Sequence, residues 1–244
     1  MSRILIEVAM ESVEDAIAAE EGGADRLELC SALDLGGLTP SLGMYDAVRH
    51  VSKLPVFVMI RPRSGDFVYS EYEIAVMKRD IAYFLPLKPD GFVFGILHAD
   101  ATINHNACRD LIVAASGVPC TFHRAFDRTA NNLQALDDCV ALGFKRILTS
   151  GRAADAIAGI RNLTQLAEQA EGRIGLLPCG RIRQDNVAEI VRQTSFREIH
   201  GSFAEPIPEG TQDGERGYVR RSRTSRNAVA ACRDVLKSLK PQAS

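Results

Sequence analysis

Gly23-Ala24-Asp25-Arg26-Leu27-Glu28-Leu29 and Gly143-Phe144-Lys145-Arg146-Ile147-Leu148-Thr149 follow one pattern. In each, a helix-ending glycine precedes two residues and then a strand that opens with arginine and an apolar residue. Echoes of this kind mark equivalent structural units. Working outward from them, short runs with strand character recur at residues 3–8, 25–30, 55–60, 91–96, 118–123, 145–150, 173–177 and 197–200. Their starts lie about 30 residues apart, the length of one βα unit. Between them, apolar residues fall at helical spacing, as in Val13-Ala16-Ile17-Ala19 and Leu133-Leu136-Val140-Leu142. Ser12, with Asp15 three residues on, and Ser41 after Pro40 read as helix N-caps, and Gly22-Gly23, Gly117 and Gly143 as helix ends.

Eight such units in 244 residues match the (β/α)₈ barrel, which takes about 250. A doubly wound sheet would carry a glycine-rich phosphate turn after its first strand, and Val8-Ala9-Met10-Glu11-Ser12 stands there instead. The expected fold is therefore α/β: a single TIM-like barrel domain over 1–244, with a long loop at 201–222 before a last helix at 223–240.

Composition agrees with one soluble globular unit. Hydrophobic residues make up 46% and charged residues 25%, which excludes wholesale disorder. The net charge of −2 is too balanced for a surface given over to nucleic acid. It hides an asymmetry: residues 215–244 hold eight basic and two acidic side chains, a net +6, leaving −8 for residues 1–214. The basic stretch 216–226, with Arg220, Arg221 and Arg223, has no aromatic platform beyond Tyr218. It reads as a solvated loop or a subunit contact, so neither nucleic acid nor membrane is an expected partner. No apolar run reaches the roughly 20 residues of a membrane helix, and Glu7 interrupts the apolar start with no cleavage site after it. A cytoplasmic location is expected. The six cysteines include no C-x-x-C pair, so thiols rather than disulfides or a zinc ribbon are expected.

In a barrel the chemistry belongs at the C-terminal ends of the strands. There the sequence offers Glu7, Glu28 with Cys30, Arg61 with Arg63, His123-Arg124 with Asp127, Ser150-Gly151, Cys179-Gly180, and His200 with Ser202. Two carboxylates, two histidines and several arginines would then share one mouth, where packing alone would call for Val, Ile and Leu. Glu7, Glu28, His123 and His200 are the candidate acids and bases. Arg61, Arg63 and Arg124 suit a carboxylate or phosphate. Ser150-Gly151, Gly180 and Ser202 stand where late-strand loops often hold phosphate through backbone N–H groups. Glu7 or Glu28 paired with Arg61 is the structural alternative. Among the thiols, Cys30 is best placed for a metal and Cys179 next; Cys108, Cys120, Cys139 and Cys232 read as core.

Glu28-Leu29-Cys30-Ser31-Ala32-Leu33, Gly36-Gly37-Leu38-Thr39-Pro40-Ser41, Met59-Ile60-Arg61-Pro62-Arg63 with Gly65-Asp66-Phe67, and Thr121-Phe122-His123-Arg124-Ala125-Phe126-Asp127 together resemble the CutC family of copper homeostasis proteins. Leu148-Thr149-Ser150-Gly151 and Glu198-Ile199-His200 fit as well, so the likeness runs from about residue 3 to residue 202. The resemblance implies a cytoplasmic TIM-like barrel, a homodimer, and Cu(I) bound through Cys30. Where the family tends to show Ser-Gly-Gly and Pro-Gly-Gly-Gly, this chain has Ser150-Gly151-Arg152 and Pro178-Cys179-Gly180-Arg181. The lost glycines weaken a backbone phosphate cradle, while the arginines add cations that suit an anion. Two functions stay open: Cu(I) handling at Cys30, and acid–base catalysis on a small anionic or sugar-like substrate.

Overall fold

A computed structural model of the protein describes residues 3–194, 196–207 and 222–239. Eight parallel strands form the barrel: β1 (Leu5–Met10), β2 (Arg26–Leu29), β3 (Val56–Met59), β4 (Gly91–Phe94), β5 (Cys120–Phe122), β6 (Arg146–Thr149), β7 (Gly175–Pro178) and β8 (Glu198–Gly201). Their order is β7-β6-β5-β4-β3-β2-β1-β8. β7 and β8 lie side by side to complete a nearly closed ring. Helices α1 (Val13–Glu21), α2 (Leu42–Val51), α3 (Glu71–Phe84), α4 (His105–Ala114), α5 (Asn132–Leu142), α6 (Ile160–Ala170), α7 (Val187–Thr194) and α8 (Arg226–Ser238) follow the strands in turn. The expected caps are present: Ser12 Oγ accepts from Asp15 N at 3.2 Å, Ser41 Oγ accepts from Met44 N at 3.1 Å, and Gly143 ends α5 in the left-handed region.

Side chains alternate along each strand. Ile6 and Val8, Leu27 and Leu29, Val56 and Val58, Phe92 and Phe94, Ile147, Leu176 and Ile199 join the large apolar cluster shared with the helices. The other set fills the barrel, and it is unusually polar for a parallel sheet, whose strands are normally apolar on both faces. Arg26 and Arg146, the arginines of the two echoing stretches, each open a strand. Their guanidinium carbons lie 5.0 and 4.1 Å from the centre of the Phe57 ring. Gly91 makes room for that ring, since a Cβ there would come within 1.8 Å of it. This cationic and aromatic layer is the floor on which the site stands.

Most strand ends differ from the sequence reading by a residue or two, and two differences bear on the site. β1 runs to Met10, because Val8, Ala9 and Met10 continue the ladder to β2; Glu7 therefore sits mid-strand inside the barrel, not at its lip. The 201–222 segment is not all loop. β9 (Ala204–Pro206) pairs antiparallel with β10 (Ser222–Thr224), and α8 begins at Arg226 rather than at 223. Arg216, Arg220 and Arg221 lie outside the described residues, as does the expected helix end at Lys240. Among the described residues no helix is long and apolar enough to cross a membrane.

Candidate functional site

The register of three neighbouring strands builds the centre. Glu7 of β1 stands opposite both Arg26 of β2 and His200 of β8. Arg26 donates through Nε to Glu7 Oε2 and through Nη2 to Glu198 Oε2. The other Glu7 oxygen lies 2.8 Å from His200 Nδ1, and His200 Nε2 lies 3.6 Å from Glu28 Oε2. Cys30 Sγ donates to the same Glu28 oxygen at 3.7 Å. All of these residues except Glu198 are buried.

Their electrostatics follow from burial and these neighbours. Burial pushes the Glu7 carboxyl up, but Arg26, the hydrogen bond and charge of His200, and Arg146 outweigh it and hold it well below the usual range. Burial would lower His200, yet Glu28 and Glu7 raise it overall, so its protonated form is favoured between the two carboxyl groups. At Glu28 burial wins. Its pKa rises to about 7, with Glu7 reinforcing the shift and His200 opposing it.

Glu28 and His123 line the same cavity, and each keeps one polar atom without a partner. Glu28 Oε1 is buried without a hydrogen-bond partner, and so is His123 Nε2. Burial and then the Arg61 charge lower His123 to about 3, so the ring is neutral. Its Nδ1 accepts from Ala125 N at 3.2 Å, which assigns the proton to Nε2. Gly95 admits the ring, because a Cβ there would stand 2.7 Å from His123 Nδ1. Glu28, His123, His200, Cys30, Cys179 and Arg124 line one cavity of about 340 Å³, with Gly180 and Ser202 also on its wall.

The remaining sequence candidates do other work. Glu7 does not line the cavity; both its oxygens are taken, and it positions His200. The ion pair once open to Arg61 belongs to Arg26 instead. Arg61 is buried and spends Nη1 on Leu35 O and Gly37 O (3.0 and 3.1 Å) and Nη2 on Gly65 O (2.9 Å). Arg63 points away from the cavity, pairing with Glu73 at 2.5 Å and Asp66 at 3.0 Å. The expected cradle after β6 already holds an anion, the protein's own Asp127. That carboxylate accepts from Thr149 Oγ1 (2.6 Å), Ser150 Oγ (3.0 Å), the backbone N–H groups of Ser150 and Arg152 (both 3.1 Å at closest), and Arg124 Nε (3.0 Å). Gly151 N is bound by Thr149 Oγ1. Ser150 and Gly151 are thereby closed to an outside ligand. Sequence reading missed Arg26 and Arg146, although an arginine at the same place in both echoing strands was the signal that could have found them.

The CutC family pattern matches residues 4–205. A copper homeostasis protein cutC homolog from Homo sapiens is 46% identical over 198 residues, covering 81% of this chain and 72% of the relative. The chain belongs to the CutC family. A CutC family protein of Vibrio cholerae serotype O1 is 41% identical over 233 residues, 95% of this chain and 89% of its own. A CutC crystal structure from Streptococcus agalactiae superposes with a TM-score of 0.78 at 35% identity, covering 82% of this chain and 98% of that one. In this CutC, Arg152 and Arg181 hold left-handed backbone angles, φ +62° and +53°, a conformation glycine adopts without cost.

Two donor sets bear on a metal in this CutC site. Glu7, Glu28 and His200 offer ligand atoms within 4.8 Å of one another, an oxygen and nitrogen set for a hard or borderline ion. Glu7 and His200 are already committed to each other and Glu7 to Arg26 as well, so this set is closed by its own salt bridges. The soft set is Cys30 with Met59, which pack in one buried cluster and both face the cavity. Cys179 packs elsewhere, with Leu148 and Leu177. Burial first, and then Glu28, push the Cys30 thiol well above its ordinary range. Native protein at pH 7.5 is therefore expected to leave Cys30 unalkylated by iodoacetamide while an unfolded sample labels fully. Rapid stoichiometric labelling of Cys30 in the native state, read by peptide mass spectrometry, would contradict this.

Proposed function

We propose that the cavity is an acid–base active site for a small anionic or sugar-like substrate that carries a carbonyl group. The observation that supports this best is that Glu28 and His123 line one cavity and each has a buried polar atom, Oε1 and Nε2, without a hydrogen-bond partner. In this reading Glu28 takes a proton from the carbon beside the carbonyl. The other Glu28 oxygen is oriented by His200 and Cys30. A carboxyl with a pKa of about 7 can accept and return a proton near neutrality. His123 donates its Nε2–H to the carbonyl oxygen, where negative charge develops. A neutral ring is the right donor here, since the pairing of a carboxylate base with a neutral imidazole avoids handing the enolate a full proton. Glu7 and Arg26 act as positioning residues through His200. The test is solvent-deuterium exchange at carbon, followed by NMR, across a panel of small ketoses and hydroxy-ketones with and without phosphate. Exchange by the wild type that falls by about 10²–10⁴-fold in Glu28→Gln is the expected result. No exchange with any compound would sink it.

The second reading is Cu(I) binding in copper homeostasis, in the cytoplasm and as a homodimer. It is favoured by the names of the relatives, by the Cys30–Met59 pairing, and by six free, buried thiols that suit a reducing compartment. Cu(I) here is cargo. Its capture needs the Cys30 thiolate, and Glu28 Oε2 at 3.7 Å is the base to receive that proton. One equivalent of Cu(I) taken up by the wild type and lost in Cys30→Ser would support it; unchanged uptake in that variant would refute it.

A further inference from the structure

A second and wider pocket opens beside the reactive cavity. It has a volume of about 850 Å³ and shares Gly36, Phe67 and Arg124 with the first. Its charge is distinctive. Arg61, Arg124, Arg128 and Arg152 face it against only Asp66 and Asp127, a surplus of two positive charges in a chain whose net charge is −2. Both carboxylates are already engaged, Asp66 with Arg63 and Asp127 with Arg124 and the loop after β6. Of the four cations Arg124 shares Asp127, while the side chains of Arg61, Arg128 and Arg152 have no carboxylate partner among the described residues.

Arg61 is the clearest case. It is 4% exposed, its terminal nitrogens bind three backbone carbonyls, and its Nε has no partner. Among the described residues no carboxylate pairs with it. A buried cation without a counter-ion is costly, and a bound anion removes that cost. Arg128 is exposed, with no ion pair among the described residues. Arg152 reaches the pocket from a left-handed residue, φ +62°, and strain of this kind persists where a side chain's position is needed.

We propose that this outer pocket, between the loops that follow β3, β4, β5 and β6, binds a dianionic phosphate group of the ligand. Two guanidinium forks on Arg128 and Arg152 match the charge and geometry of a phosphate, with the Arg61 charge behind them. The anion site thus borders the loop after β6, whose own backbone N–H groups are taken up by Asp127. It rests on the acid–base reading only in supposing that the same ligand extends past Arg124 towards Glu28 and His123.

The experiment is calorimetric titration of the full chain with inorganic phosphate at fixed ionic strength, comparing wild type, the double variant Arg128→Gln/Arg152→Gln, and Glu28→Gln. Saturable binding is expected in the wild type, weakened about tenfold or more in the double variant and retained in Glu28→Gln. Absence of saturable binding, or equal affinity in the double variant, overturns the proposal. Loss of binding in Glu28→Gln also overturns it, because the anion would then sit in the inner cavity. Phosphate affinity is read without turnover. A failure here thus leaves the deuterium-exchange test of Glu28 standing, and the converse holds.

Discussion

Arg26→Met is expected to destabilise the protein by about 3–5 kcal/mol, the loss typical of removing one partner from a buried ion pair. Arg26 is 6% exposed and serves two carboxylates, Glu7 and Glu198. Glu198 retains some contact with water, but Glu7 is 2% exposed and would keep His200 as its hydrogen-bonded counter-ion, with Arg146 acting on it without an ion pair. The loss is a large share of the roughly 5–15 kcal/mol by which a domain is stable. Urea unfolding of the variant measures it directly. Adding Glu7→Gln should recover part of the stability, because the stranded charge disappears with it. A single-variant loss below about 1 kcal/mol would show that the floor of the barrel does not depend on this pair.

Glu28→Gln is expected to change how stability responds to pH. In the unfolded chain Glu28 titrates near 4.5, and in the folded protein near 7. Between those values the folded state holds the extra proton, so the contribution of Glu28 to wild-type stability falls as pH rises through the window. At 1.36 kcal/mol per unit, the full effect is about 3 kcal/mol above pH 7. Glu7 acts with the opposite sign, its stabilisation present above pH 4.5 and lost only as pH falls below it. His200 contributes stability that is complete below pH 6.5 and declines as pH rises through its raised folded value. His123, lowered to about 3 in the folded protein, opposes Glu28 from pH 5 to 6.5, its contribution rising as the unfolded imidazole loses its proton. The Glu28 contribution is therefore read from the difference between variant and wild type. Across that interval, the stability of Glu28→Gln relative to wild type should rise by about 2 kcal/mol. Parallel pH profiles for the two proteins would mean that Glu28 is not the proton-holding group.

Much of the fold was legible because it is local and repeated. A helix-ending glycine, a strand and an amphipathic helix need only neighbours in sequence to be recognised, and eight repeats of that grammar leave the barrel as the fitting architecture. Glu28, His123, His200 and Cys30 were legible for the same reason, as polar residues closing apolar strands. Their division of labour was not. Glu7 looked equivalent to Glu28, yet two residues along the strand register separate a carboxylate clamped by Arg26 from one that lines the cavity with an unpartnered oxygen.

Pairing across the ring made that distinction, and no sequence spacing contains it. Glu7 meets His200 across 193 residues, and Arg61 meets loop carbonyls instead of an acid. Asp127 reaches from one loop into the next and fills the cradle that Ser150-Gly151 seemed to offer. The sequence by itself determined a (β/α)₈ barrel of the CutC type with a polar mouth, since periodicity and strand-end chemistry are written along the chain. Only the tertiary structure decided which of those polar groups neutralise one another and which stay available, because charge pairing in a closed barrel depends on strand register and depth of burial.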